Sequence, residues 1–244
     1  MEKDLYFCGD IHGELRTLVW KLSECYRIKD SDVLILGDFG VGFSKDLPDI
    51  YKRCESKLEK NNLTIYTIRG NHDDPSYFID PSKNDFPRLK FLEDHKIIEL
   101  DGRKIYTIGG ADSTDIEDRK KHDKKKHKIT WWPNESVERK YTDLPTKVDI
   151  IVSHTAPISF SPIVERTSDL PLYQYEKILE TRKYLDYVLR EVNADYWFYG
   201  HFHQSFTGTY GKLLYRCLDI MEIFEAPYHI NSNPQGKLEE ESHE

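Results

Sequence analysis

Five apolar runs in this chain each end on a group that is a poor strand former but a good ligand. Residues 5–8 lead into Gly9-Asp10-Ile11-His12-Gly13, and residues 32–36 into Gly37-Asp38. Residues 63–68 lead into Gly70-Asn71-His72-Asp73, 147–152 into Ser153-His154, and 196–199 into Gly200-His201-Phe202-His203. Near-continuous apolar runs of this length read as strands buried on both faces, which belong to parallel sheets covered by helices. Parallel strands point their carboxyl ends the same way, and open α/β sheets keep their ligands there. Asn and Asp also suit turns for local reasons, so any one of these ends could be an ordinary polar turn. A histidine satisfied inside a core would likewise explain any one imidazole. Of the ten histidines, however, five (His12, His72, His154, His201 and His203) stand at these ends. The chain is thereby held to a layered α/β fold that gathers polar groups at one edge.

The intervening segments agree. Leu15, Leu18, Val19, Leu22, Cys25 and Tyr26 recur at spacings of three and four, one face of an amphipathic helix. Residues 46–60 form a second helix, with Pro48 acceptable in its first turn. Residues 96–100 and 103–108 flank Asp101-Gly102 as a hairpin. The second of these runs ends on Gly109-Gly110-Ala111-Asp112-Ser113, and a stretch dense in charge follows to residue 129. Residues 155–168, with Pro157 and Pro162, read as a loop, and Ser168-Asp169 as the cap of a helix from about residue 171 to 192. Strands at 213–217 and 220–224 close the fold. We expect one domain over residues 1–230, with an inserted charged loop at 112–140 and a disordered acidic tail at 231–244.

At 244 residues the chain can bury one sizeable core, and its 32% charged fraction keeps that core soluble. The net charge of −8 argues against a general nucleic-acid binder. No apolar run is long enough to span a membrane. Met1-Glu2-Lys3-Asp4 runs straight into the first strand, so no signal peptide is expected. Cys8, Cys25, Cys54 and Cys217 form no CxxC pair, which suits free thiols in a reducing cytoplasm.

The chemistry that uses these strand ends is a two-metal site. Imidazole and carboxylate suit divalent Mn, Fe, Zn, Ni or Co. Two such ions roughly 4 Å apart can clamp the attacking and leaving oxygens of a phosphoryl displacement. The ordered series Gly-Asp-x-His-Gly, Gly-Asp, Gly-Asn-His-Asp, Ser-His and Gly-His-x-His resembles the calcineurin-like metallophosphoesterase superfamily and runs from residue 9 to 203. The resemblance implies a four-layer α/β/β/α sandwich with two packed mixed β-sheets. It implies that Asp10, His12 and His203 hold one ion, that Asn71, His154 and His201 hold the other, and that Asp38 bridges. His72 would then steady or protonate the leaving oxygen, with Asp73 or Asp74 as the carboxylate that raises its basicity. A metal-bridging hydroxide would attack a phosphate mono- or diester. Manganese is the favoured ion and a nucleotide-like substrate is mildly favoured.

The sequence departs from one branch of that superfamily. Protein phosphatases and diadenosine tetraphosphatases carry an Arg after the second Gly-Asp to grip phosphate. Here the stretch is Phe39-Gly40-Val41-Gly42-Phe43, with neither Arg nor acid, which disfavours a phosphoprotein substrate. The charged segment from Asp112 to Trp132, with its run from Lys120 to Lys128, is the expected specificity element. Its lysines could meet a polyanion and Trp131 or Trp132 could stack on a base; a solvated loop anchored by packed tryptophans is the plainer reading. A catalytically silent, protein-binding use of the fold would show lost donors or a lost His72, and none is missing. Oligomeric state is not written in the sequence.

Overall fold

The computed structural model describes residues 3–43, 46–126, 129–162 and 170–227. The acidic tail at 231–244, the Ser168-Asp169 cap, and His127 and Lys128 of the lysine run lie outside the described residues. The first three strands, β1 (Asp4–Cys8), β2 (Ser31–Ile35) and β3 (Thr64–Thr67), lie parallel and adjacent. With β4 (Leu89–Phe91) and a final strand β11 (Ile223–Glu225) they form one sheet in the order β11-β1-β2-β3-β4. The second sheet begins with the hairpin of β5 (Ile97–Leu100) and β6 (Arg103–Ile108), where Asp101 and Gly102 both take positive φ. It continues through β7 (Ile150–Ser153), β8 (Tyr196–Tyr199), β9 (Phe206–Tyr210) and β10 (Leu213–Cys217), in the order β5-β6-β7-β8-β10-β9. Both sheets are mixed: parallel at the centre, with antiparallel partners at β11, β5 and β9.

The strands read as continuous apolar runs because both their faces are covered. Between the sheets lies a core of Leu5, Phe7, Leu34, Leu36, Ile150 and Phe198, in which the Phe7 and Phe198 rings stack at 4.1 Å. The other face of the first sheet packs on α1 (Leu15–Trp20) and α2 (Leu47–Lys60) through Leu15, Leu18, Tyr51 and Leu58. The other face of the second sheet packs on α5 (Leu172–Glu191) through Ile178, Tyr184, Leu185 and Val188. Helix, sheet, sheet and helix thus stack in the four-layer order that the family resemblance implies. None of the described helices is long and apolar enough to cross a membrane.

Four details correct the sequence reading. The first helix is α-helical only to Trp20 and continues as a wide π turn over Lys21–Cys25, closed by the Tyr26 N–H on the Lys21 carbonyl at 2.9 Å. The wider turn slips the phase of the apolar face, so Leu22 stays buried while Cys25 and Tyr26 emerge exposed. The last strand starts at Ile223 rather than 220 and crosses to the first sheet, where it pairs antiparallel with β1. A helical turn, α3 (Ser76–Ile79), and the short β4 follow β3, where no period announces them. Finally, the inserted charged segment is helical, as α4 (Ile116–Lys126), rather than a loop.

Candidate metal centre

Each strand end turns sharply, and the turns are tied together before any side chain acts. The Ile11 and His12 N–H groups donate to the Asp38 carbonyl at 3.2 and 2.9 Å, and Gly13 N–H to the Phe39 carbonyl at 2.7 Å. His12, Asp38, His201 and His203 all sit at positive φ, between 45° and 68°. That conformation is sterically disfavoured for residues with a Cβ, so the surrounding bonds must hold it.

The two carboxylates are placed by the same device. Asp38 Oδ1 accepts the His72 N–H at 2.8 Å and presses on Gly70, where a Cβ would lie 2.1 Å from it. Asp10 Oδ1 accepts the His201 N–H at 3.1 Å and presses on Gly200, where a Cβ would lie 2.3 Å from it. In each case the glycine, before Asn71 or before His201, admits a carboxylate from a neighbouring turn. Both aspartates are buried, and Asp10 Oδ2 finds no hydrogen bond of good geometry although no solvent reaches it.

Around these oxygens the imidazoles converge in two groups that share Asp10: Asp10, His12 and His203, and Asp10, Asp38 and His154. His203 Nε2 lies 3.2 Å from Asp10 Oδ2 and 3.2 Å from His12 Nε2. His154 Nε2 lies 3.2 Å from Asp38 Oδ1 and 3.0 Å from Asn71 Oδ1. Asp38 Oδ2 stands 4.0 Å from His12 Nδ1, so its two oxygens face the two groups. His201 stands beside the second group, its ring against His154 at 5.0 Å. Its donor nitrogen is not among the converging atoms of the described residues.

This arrangement fits a cation better than it fits protons alone. His154 Nδ1 donates to the Leu36 carbonyl at 2.7 Å, which leaves its Nε2 as the free lone pair of a neutral ring. That lone pair faces an amide oxygen and a carboxylate oxygen, which are both acceptors. Without a metal the field must hold a proton there instead. Burial lowers the His154 pKa, but Asp38 and Asp10 outweigh it and raise the pKa to about 9. Burial alone would raise the Asp38 carboxyl, yet His154 and the His72 N–H hold it well below the usual carboxylate range. Burial and the charge on His154 push His201 down to about 3.

Asp73 and Asp74 do not serve His72 as the sequence suggests. Asp73 is buried and accepts four backbone N–H groups, from Phe39 at 3.2 Å, Gly40 at 2.7 Å, Val41 at 3.1 Å and Gly70 at 2.8 Å. Its carboxylate therefore clamps the turn after β2 to the turn after β3, a positioning role. Asp74 Oδ1 caps Ser76 through its N–H at 2.9 Å and its hydroxyl at 2.7 Å. His72 itself lies between His12, edge-on at 5.5 Å, and Phe43, stacked at 5.9 Å.

Three residues that buttress the candidate site went unread in the sequence: Ser113, Arg119 and Glu135. The Ser113 hydroxyl donates to Glu135 Oε2 at 2.8 Å and accepts from Asn71 Nδ2 at 2.9 Å and Arg119 Nη1 at 2.7 Å. One donor and two acceptors fill a hydroxyl's capacity, so the Asn71 amide is fixed with its oxygen turned toward His154. Arg119, on α4, also donates to the Asn71 carbonyl at 3.3 Å and to the Thr130 carbonyl. The insertion is thus bolted to the site through one buried arginine, while Lys124 and Lys125 are exposed on the same helix. Trp132 packs on Phe43 at 5.3 Å, and Lys120 lies 4.3 Å over the Trp131 ring. Only the strand-end position of Ser113 could have drawn attention; Arg119 was one cation among many.

A family model described as calcineurin-like phosphoesterase matches residues 4–205. Among solved structures, the TT1561 protein of Thermus thermophilus is 12% identical with a TM-score of 0.51, covering 90% of this chain and 90% of that one. The phosphopantetheinyl hydrolase of Mycobacterium tuberculosis is 14% identical with a TM-score of 0.49, covering 97% of this chain and 98% of that one. No curated protein matches the chain. At these identities the likeness to the Thermus protein is one of fold.

Two outcomes follow from the geometry. Ser113→Ala strips Asn71 of the partner that orients it, and manganese affinity should fall by about 10- to 100-fold, the range for lost outer partners of metal ligands. Titration of the folded variant checks this; an unchanged affinity would show that Asn71 is held by other means. A His154 that bound a divalent ion would have to be neutral, whereas at pH 7 a group with a pKa near 9 is charged. Manganese binding at pH 7 should therefore release about one proton per chain from His154, read by calorimetry in two buffers of different ionisation heat.

Proposed function

This chain belongs to the calcineurin-like phosphoesterase family, and from that premise we propose that it is a metal-dependent hydrolase of phosphate mono- or diesters working at a dinuclear centre. The observation that carries this reading is the convergence of carboxylate oxygens and imidazole nitrogens in two adjoining groups, with the buried Asp10 Oδ2 left without a well-formed hydrogen bond. Asp10, His12 and His203 would hold one ion and Asn71, His154 and His201 the other. Asp38, with an oxygen toward each group, would serve both. Bound there, two divalent ions supply positive charge against the phosphoryl oxygens and acidify water. Manganese is the ion we favour.

The remaining work falls to His72. Its backbone N–H is anchored on Asp38, so the turn that carries the ring is tied to the same carboxylate that would serve both groups. Burial lowers its pKa below the ordinary 6.5, against the pull of Asp38. A lower pKa makes the imidazolium a readier donor and a rarer one, the usual compromise of a general acid. We assign His72 to giving a proton to the leaving oxygen. Among its described residues, 36–43 and 46, the turn after β2 carries no lysine or arginine to grip a dianionic monoester. That favours diesters or nucleotides mildly over phosphoproteins. The thiol pattern, with Cys8, Cys54 and Cys217 buried and unpaired, supports a reducing, cytoplasmic setting.

Elemental analysis after reconstitution with manganese should find close to two ions per chain, and Asp38→Asn should lower occupancy at both positions. A wild-type protein that never takes more than one ion would sink the dinuclear reading. His72→Ala should keep its metal and lose turnover by on the order of 10²–10⁴-fold on a substrate with a poor leaving group. Loss should be smaller on a nitrophenyl ester, whose leaving oxygen needs less protonation. Equal losses on both substrates would remove His72 from the proton transfer.

A further inference from the structure

Beside the converging donors lies a cavity of about 340 Å³ that the proposed chemistry leaves unused. It opens between the turn after β1, the turn after β2 and the first turns of α2. His12 and His72 form its inner end, and Phe39, Val41, Phe43, Leu47 and Ile50 supply most of its wall. Glu14 is the one charged residue among its described lining, and it is exposed, with its Oε2 accepting the Thr17 hydroxyl at 2.8 Å. Among the described lining residues there is no lysine or arginine.

Size and chemistry decide what such a space can take. Its volume sits at the lower end of the range for small-molecule sites, which are mostly carbon with a few placed polar groups. A second phosphate would have to leave water for a carbon wall near a carboxylate, with no lysine or arginine among the described lining residues to receive it; burying an unpaired anion is strongly unfavourable. An uncharged ring or branched apolar group meets no such penalty and gains from leaving water. Phe43 and His72 add two nearly parallel faces, 20° apart, at the inner end. Because His72 lines both the pocket and the donor cluster, a group seated here would hang from the oxygen nearest that imidazole.

Resting on the phosphoesterase reading above, we propose that this pocket is the subsite for the alcohol side of the substrate. It takes an uncharged aromatic or branched apolar group esterified to the phosphoryl group. The lysines of α4 then have no part in this selection. Sugar phosphates and polyphosphate tails fit the pocket poorly, and a nucleotide fits only through its base.

The test compares benzyl and methyl phosphate esters, whose alcohols are nearly equal in acidity, on the manganese-loaded full chain. The benzyl ester should be preferred in kcat/KM by about 10- to 200-fold, the range that an apolar contact supplies to specificity. Ile50→Lys, checked for folding by its thermal midpoint, should bring the ratio close to one. If that variant does not fold, binding of benzylphosphonate against methylphosphonate to the wild type, by calorimetry, decides, with at least tenfold tighter binding of the benzyl compound expected. Hydrolysis of both esters at equal kcat/KM, or equal binding of the two phosphonates, overturns the pocket assignment alone. Failure to hydrolyse either of these esters or a nitrophenyl ester overturns the phosphoesterase reading, and this assignment falls with it.

Discussion

The approach of two buried carboxylates onto two glycines sets the geometry of this molecule. Asp38 and Gly70 both belong to the first sheet, so their contact fixes how the turns after β2 and β3 nest. Asp10 follows β1 of the first sheet and Gly200 follows β8 of the second, so their contact, with the Asp10–His201 hydrogen bond, joins the two sheets at their functional edge. Below it the Phe7–Phe198 stack holds the same two strands face to face through carbon. Polar and apolar contacts thus fix one spacing between the sheets at two depths. A side chain at either glycine would push a carboxylate out of the place where its second oxygen meets the imidazoles.

A second layer of control comes from the buried charges of Arg69 and Arg119. Arg69, immediately after β3, pairs with Asp94 at 2.7 Å and donates to the carbonyls of Asn134, Glu135 and Ser136. Arg119 does the same from the other side, reaching Ser113, Asn71 and Thr130. Between them the segment that carries Glu135 is pinned, and Glu135 in turn holds Ser113. A guanidinium suits this task because its planar fork satisfies several carbonyls at once and stays charged when buried. The insertion therefore acts on the site through its neutralised, inward arginine, while its exposed lysines are a separate feature of its outer face. Lys120 and Lys121 lie 3.6 and 3.3 Å from Glu117 and Asp118, one helical turn back, so part of that charge is answered locally.

What could be read from the sequence was what a short window contains. A near-continuous apolar run followed by Gly-Asp or Gly-Asn-His is local, and it placed the strands, their parallel order and the edge where polar groups gather. Asp101-Gly102 announced its hairpin for the same reason: both residues tolerate the positive φ that the turn demands. Features decided by partners far along the chain were not legible. The π turn at Lys21–Cys25 leaves the residue types unchanged and alters only the phase. β11 joins the first sheet because β1 offers an open edge, which no property of residues 223–225 reveals. Asp73 looked like a partner for its neighbour His72, since adjacency is all a sequence displays. Its four N–H donors come instead from Gly70 and from a turn more than thirty residues away.

The site also carries an internal conflict that an ion would resolve. Four of its residues hold positive φ, each at a cost on the order of 1 kcal/mol. With His154 Nδ1 committed to the Leu36 carbonyl, its Nε2 meets acceptor oxygens at 3.0 and 3.2 Å with no donor between them unless the ring takes up a proton. Folding the chain without metal therefore assembles repulsion as well as strain, and the carboxylates of Asp38 and Asp10 raise the pKa of His154 toward holding a proton there. A divalent ion that binds the folded arrangement and not the unfolded chain stabilises it in proportion to the logarithm of its concentration over its dissociation constant. The cooperative core between the sheets must then be strong enough to hold the strand ends together before the ion arrives. The near-continuous burial of β2 and β7 is where that strength resides: every residue of Ser31–Ile35 and of Ile150–Ser153 is buried.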